Sequence, residues 1–206
     1  MTRRNACGLW MLLSGLVCAC APINQTNNTQ YQLDAFSAGA VAKKTSHYSL
    51  LVSQPDSSAG YQTEQMLYSD RPYVIRPFVH NAWVSSPAHM LYPLILQSLQ
   101  HEHYFYAVSA NPAADRTDYR LDTQIMRMQQ NFMHKPSTVE LRVHAVVTHV
   151  DDQRVLASRL LVETIPCTQD TPYGGVMAAN LAAKNLTAAL TRFVTNAIVH
   201  DHEVHH

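Results

Sequence analysis

The alternation of apolar and polar side chains predicts antiparallel strands in the second half of the chain. Tyr119 to Phe132 and Glu140 to Val147 both alternate with the period of a half-buried strand. Polar residues 151–154 separate the second of these segments from another apolar stretch, Val155 to Ile165. We therefore predict a hairpin with its turn at 151–154.

The first half of the chain contains shorter strand signals. Residues 47–54 predict one strand, and residues 65–84 predict two more that are interrupted at Asp70-Arg71-Pro72. Residues 104–109 predict a further strand. These segments are separated by proline, glycine, serine and aspartate, which are typical of turns.

Two helices are predicted, one between the strands and one after them. Ser85-Ser86-Pro87 supplies a cap and a first-turn proline, and an apolar stripe follows, although Pro93 predicts a kinked first turn. The last helix is predicted from Tyr173 or Val176 to Val199, with Gly174-Gly175 as a flexible lead-in. Together the elements predict an α+β fold, a mainly antiparallel sheet with two principal helices packed on it (an α/β sandwich).

The N-terminus has the three parts of a secretory signal peptide. Arg3 and Arg4 give a positive start, and the apolar run that follows is too short for a transmembrane helix. The run ends in Val17-Cys18-Ala19-Cys20, which fits a lipobox, with an aliphatic residue three places before the cysteine and a small one directly before it. We predict cleavage before Cys20 and covalent attachment of lipid to it.

Three alternatives to this interpretation stay open. Cys18 fits the lipobox less well than Cys20, and the segment could instead be an ordinary cleaved signal or an uncleaved anchor. Residues 21–30 are polar and uncharged, which is typical of a tether. Ala21 stands where an aspartate would direct retention in the inner membrane, so we expect the periplasmic face of the outer membrane.

The resulting plan has one folded domain. Residues 1–19 are predicted to be the signal peptide, 20–45 a lipidated tether and lead-in, 46–199 a single periplasmic α+β domain, and 200–206 a disordered histidine-rich tail. Removal of the signal leaves 13 Lys and Arg against 15 Asp and Glu, without a basic run, so nucleic acid is not an expected partner. Cys167 is then left without a cysteine to pair with, and we expect a half-buried structural thiol.

The sequence shows no motif for catalysis or for a cofactor. HExxH, GxSxG and the phosphate-binding GxxxxGK[ST] pattern are absent from the sequence. The histidines near the C-terminus stand on a chain end with nothing to orient them, so no metal site is predicted. We predict no catalytic residues, no metal and no cofactor other than the lipid on Cys20.

Aromatic residues concentrate between positions 68 and 106. Core packing explains such residues in general, but tyrosine and tryptophan are also enriched at interfaces. Tyr68, Tyr73 and Trp83 are therefore the candidate partner-binding residues.

An ordered set of short motifs resembles a known family. After the lipobox cysteine come Tyr31-Gln32-Leu33, Met66-Leu67-Tyr68 with Arg71-Pro72-Tyr73, Trp83, Asp118-Tyr119-Arg120-Leu121 and a final alanine-rich helix. The set is similar to the auxiliary lipoproteins of MCE-type ABC transport systems, the PqiC-like family.

This resemblance implies a non-catalytic outer-membrane lipoprotein. The expected partners are an MCE-domain protein, which carries lipid between the two membranes, and the ABC transporter components; a homo-oligomeric ring is also implied. Another outer-membrane assembly lipoprotein, for lipopolysaccharide insertion or as a secretion pilot, is the alternative. A lipoprotein hydrolase or metalloprotein is a third hypothesis.

Overall fold

The protein folds around one mixed sheet. A computed structural model describes residues 29–39, 45–111 and 116–205, with side chains through Glu203. In these ranges the elements are β1 Thr29–Tyr31, β2 Ser49–Val52, β3 Asp56–Ser57, β4 Gln65–Ser69, β5 Arg76–Trp83, α1 Pro87–His101, β6 Ala107–Ser109, β7 Tyr119–Asn131, β8 Thr138–His149, β9 Val155–Pro166 and α2 Pro172–His205. The described strands form one nine-stranded sheet, and the two helices pack on it. The predicted α+β class is confirmed.

β8 shows how the sequence pattern produces one buried face. Its alternate apolar side chains lie in the core, whereas the intervening Glu140, Arg142 and His144 are only partly covered. β8 pairs antiparallel with β7 on one side and with β9 on the other, as the alternation predicts. The buried positions are Val139, Leu141, Val143, Ala145 and Val147.

Shorter strands line the other side of β7, and these pairings are parallel. β2 pairs with the start of β7, β3 with its middle and β4 with its end. β5 joins β4 as an antiparallel hairpin, β1 adds to β5 in parallel, and β6 adds to β2 in parallel. Most of the paired residues lie in the long antiparallel ladders of β7, β8 and β9, although five of the eight strand pairings are parallel. β1 and β3 are not among the predicted strands.

The predicted first helix is present as α1. Ser86 has the extended backbone of an N-cap, Pro87 occupies the first turn, and Pro93 lies within the helix. Leu91, Ile95 and other apolar residues of the predicted stripe are buried. The two helices also contact each other through hydroxyl groups, since the Ser98 and Thr191 oxygens lie 3.0 Å apart.

The end of α2 differs from the prediction. The helix continues through residues 200–205, so the predicted end at Val199 and the predicted disorder of this segment are wrong. The physical reason is tertiary contact. Asp201 forms an ion pair with Arg154 at 2.7 Å, and His202 Nδ1 lies 2.8 Å from the hydroxyl of Tyr48. Neither α1 nor α2 is long and apolar enough to cross a membrane.

Part of the segment predicted to be a tether is docked on the domain. Leu33 is buried, and the amide of Asp34 donates to the side-chain oxygen of Asn180 at 2.9 Å. Further along, the amide of Ser37 donates to the hydroxyl of Thr187 at 2.9 Å. The chain after β1 therefore runs along α2 in the same direction as the helix.

Two leucines on α2 offer a matched test of this packing. Leu186 is fully buried in the core, whereas Leu181 is about half exposed on the same helix (47%). We expect Leu186→Ala to lower the free energy of unfolding by about 2–5 kcal/mol, because it leaves a cavity. Leu181→Ala should change it by less than about 1 kcal/mol. Urea denaturation of both variants measures the difference, and equal losses would contradict the assigned face of α2.

Candidate interaction surface

The structure places the three predicted aromatic residues in different environments. Trp83, at the end of β5, is only 4% exposed and belongs to the hydrophobic core. Tyr68 is partly covered at the end of β4, and Tyr73 is fully exposed in the turn between β4 and β5. Only Tyr73 offers its whole side chain to another molecule. Cys20, the predicted lipid attachment site, lies outside the described residues.

An aromatic cluster supports the turn that carries Tyr73. The rings of Tyr68 and Phe78 lie 4.5 Å apart between centroids, and both face Phe132 at the end of β7, at 5.8 and 6.2 Å. Such tilted and edge-on contacts stabilise a hairpin beyond the effect of burial alone. The cluster thus fixes the base of the β4–β5 turn to the centre of the sheet.

The turn itself is held by its own polar groups. The Ser69 hydroxyl donates to the carbonyl of Arg71 at 3.0 Å, and Asp70 forms an ion pair with Arg76 at 3.5 Å. Tyr73 has φ of 65°, a left-handed conformation that is unusual for a bulky side chain. Because such a conformation costs about 1–3 kcal/mol, its presence on an exposed aromatic residue suits a functional position.

An open groove lies beside this hairpin. It has a volume of about 810 Å³ and is bordered by residues 62–65, by the middle of β5 and by the start of α1. The pairing of β4 with β5 is irregular there, and Val79 on the displaced part of β5 is exposed. His89 and Glu64 contribute polar groups to its rim.

A polar cluster lies at the other end of β7. Its centre is Asp201 on α2, which accepts a hydrogen bond from the Tyr119 hydroxyl at 3.2 Å and pairs with Arg154. Arg154 also contacts Asp152, which is bonded to His149 Nδ1 at 2.8 Å. Burial and the neighbouring Asp201 carboxylate raise the pKa of Tyr119.

This cluster surrounds a small cavity and closes the end of the domain. The cavity has a volume of about 340 Å³, and Tyr48 and His202 complete its walls. The cluster explains the length of α2, because it gives the last turns of the helix partners on the β8–β9 turn. The one signal for it in the sequence is the run of acidic and basic residues at 151–154, which predicts the turn between β8 and β9.

Cys167 and the glycine pair Gly174-Gly175 have structural roles. The thiol of Cys167 is buried (3% exposed), more than the half-buried position expected, and burial raises its pKa. Gly174 and Gly175 lie inside α2 and not in a flexible lead-in. A side chain on Gly174 would collide with the backbone of Gln169, and one on Gly175 with the side chain of Gln130.

Within 29–39, 45–111 and 116–203, no three His, Cys, Asp or Glu side chains are placed to hold a metal.

Solved structures with the same fold are known. Protein XCC0632 from Xanthomonas campestris superposes with a TM-score of 0.77 at 19% identity, covering 85% of this chain and 99% of that one. An uncharacterized protein superposes with a TM-score of 0.67 at 13% identity, covering 82% of this chain and 99% of that one. No curated protein sequence matches the chain significantly. At these identities the similarity concerns the fold alone.

The sequence itself places the chain in a family. The family model for the ABC-type transport auxiliary lipoprotein component matches residues 31–191. The match extends from the docked segment through most of α2, so it covers nearly the whole described domain. The protein therefore belongs to the ABC-type transport auxiliary lipoproteins, which confirms the resemblance drawn from the motifs.

The polar cluster predicts an acid-dependent part of the stability. The hydrogen bond from His149 holds the pKa of Asp152 at about 2, below the value of about 4 for an aspartate in an unfolded chain. The carboxylate thus contributes stability that is fully present above pH of about 4 and is lost as the pH falls towards 2. Asp152→Asn should remove this part of the pH dependence in urea denaturation.

Asp151→Asn is the matched control for this prediction. Asp151 lies in the same turn, and both side chains of its ion pair with Arg116 are largely exposed. We expect little change from this variant at any pH. A pH dependence of Asp152→Asn identical to that of the unaltered protein would contradict the role given to Asp152.

Proposed function

We propose that this protein is a non-catalytic auxiliary component of an MCE-type ABC transport system that moves lipid across the cell envelope. The observation that carries the proposal is the family match over residues 31–191, joined to the lipobox that ends at Cys20. In this proposal, lipid on Cys20 holds the domain on the periplasmic face of the outer membrane. Its partners are an MCE-domain protein and the ABC transporter components.

The arrangement of the domain supports a role in tethering and docking. β1 and the docked segment after it fix residues 29–37 against β5 and α2 through backbone and side-chain hydrogen bonds. An anchor ahead of β1 is therefore connected to a rigid body. Among the aromatic candidates, Tyr73 is available for contact outside the domain, Tyr68 supports its turn and Trp83 belongs to the core.

Assembly of several copies is part of the same proposal. The family resemblance implies a ring, and β9 is an edge strand that pairs only with β8 in the described sheet. Leu160 and Val162 on β9 are about half exposed, which suits a contact between protomers. Gel filtration with light scattering of the domain would measure the number of copies.

Purification from gently solubilised membranes tests the main proposal. We expect the unaltered protein to fractionate with membranes and to carry MCE-type and ABC transporter components with it. Cys20→Ala should move to the soluble periplasmic fraction, because the acyl chains supply the anchoring free energy, about 0.8 kcal/mol for each buried CH₂ group. The control is Cys167→Ala, which changes a buried thiol and should leave fractionation unaltered.

Two results would contradict this function. If Cys20→Ala loses its signal peptide and still stays with the membranes as the unaltered protein does, Cys20 is not the anchor. If a β-barrel protein is recovered in place of transporter components, the alternative of an outer-membrane assembly lipoprotein is favoured.

A further inference from the structure

The chain approaches the domain from the side of the β4–β5 turn. Gln30, Ala82 and Gln65 lie side by side, because β1 pairs with β5 and β5 pairs with β4. From that level β4 runs four residues towards its turn, about 13 Å at the rise of a strand. β1 is parallel to β5, which runs away from the turn. The N-terminal end of β1, at Thr29, therefore faces the side of the turn.

The anchor is close enough to bring this end of the domain to a membrane. Eight residues lie between Cys20 and Thr29, and the nine steps of chain that join them span at most about 32 Å. This span is longer than the distance of about 13 Å from the level of Gln30 to the end of β4, where the turn begins. Lipid on Cys20 thus holds the β4–β5 turn within reach of the bilayer surface.

Three segments meet at this end, which we name the tether end: the β4–β5 turn at residues 70–75, the β7–β8 turn at 132–137 and the start of α2 at 172–177. The first two are bonded directly, since the amide of Phe132 donates to the carbonyl of Ser69 at 2.8 Å. The third lies beside the incoming chain, since the rings of Tyr173 and Tyr31 are 6.1 Å apart.

Each segment of the tether end exposes apolar surface. Tyr73 is fully exposed, Tyr173 is 57% exposed, and Ile75 and Met133 are about half exposed. Exposed cations, Arg71 and Lys135, stand on the two turns. Aromatic rings and long cationic side chains are the groups that partition into the headgroup region of a bilayer, where apolar bodies meet polar ends.

We propose that the tether end is a membrane-contact surface, in which Tyr73, Ile75 and Met133 enter the headgroup region of the membrane that holds the lipid of Cys20. The inference rests on the anchoring part of the proposed function. The apolar groups lie on the tips of separate segments and border neither the groove beside β5 nor the cavity at the polar cluster, which suits a bilayer surface better than a protein ligand. Because the anchor keeps the surface at the bilayer, weak contacts suffice to orient the domain.

The proposal fixes the direction in which the domain stands. β8 runs from the tether end to the polar cluster, a distance of about 36 Å for its length of 12 residues. With the tether end on the membrane, the cluster around Asp201 faces away from it. The end of the domain that a periplasmic partner meets is then the polar one.

The mature lipidated protein, with its signal peptide removed, in vesicles of phosphatidylethanolamine and phosphatidylglycerol provides the test. An environment-sensitive nitrobenzoxadiazole probe is attached to Tyr73→Cys, and in a second variant to Tyr106→Cys. Tyr106 is the matched control, because it is also an exposed tyrosine but lies at the opposite end, next to the start of β2. Labelling is specific, since Cys7 and Cys18 leave with the signal peptide, Cys20 carries lipid and Cys167 is buried.

We expect the probe at position 73 to shift its emission to shorter wavelength and to be quenched several-fold more strongly by spin-labelled lipid than the probe at position 106. Equal responses of the two probes would overturn the inference, and so would shielding at position 73 that appears only after transporter components are added. Flotation of the vesicles separates the two proposals. If the protein floats with the vesicles while the probe at position 73 stays in water, the anchor is supported and the membrane-contact surface is contradicted. If the protein does not float, both proposals are contradicted.

Discussion

The antiparallel ladder between β7 and β8 positions the other elements of this protein. The two strands pair from Tyr119 with His149 to Asn131 with Thr138, and the far side of β7 provides the edge for β2, β3 and β4. Those short strands form two or three pairs each with β7, too few to be stable without a long neighbour. The aromatic support of the Tyr73 turn and the polar cluster therefore depend on opposite ends of one ladder.

The parts of the fold that obey a local rule could be predicted from the sequence. The alternation of apolar and polar residues predicts β7 and β8, because one face of each strand is buried along its length. A serine followed by proline predicts the start of α1. β1 and β3 have two or three residues each, so no period can be detected in them. Their pairing is parallel and joins residues far apart in the chain, as in Thr29 with Asn81.

The candidate site shows a second limit of local reasoning. Tyr68, Tyr73 and Trp83 look equivalent in the sequence, yet the core takes Trp83 and a turn presents Tyr73 to the exterior. Which aromatic residue is exposed depends on how β5 crosses the sheet, and no neighbouring residue encodes that path. The extension of α2 has the same origin, since Arg154 and Tyr48 hold residues 201 and 202 from distant parts of the chain.

The parallel pairing of β1 with β5 has a mechanical consequence. Tension from an anchor ahead of Thr29 acts along the axis of β1, so it loads the hydrogen bonds to β5 in shear and all at once. A hairpin pulled from its open end would instead lose its bonds one by one. Behind β1, the bonds of Asn180 and Thr187 to residues 34 and 37 resist the same displacement. Tension applied to Thr29 would thus reach the domain through a short clamp backed by α2.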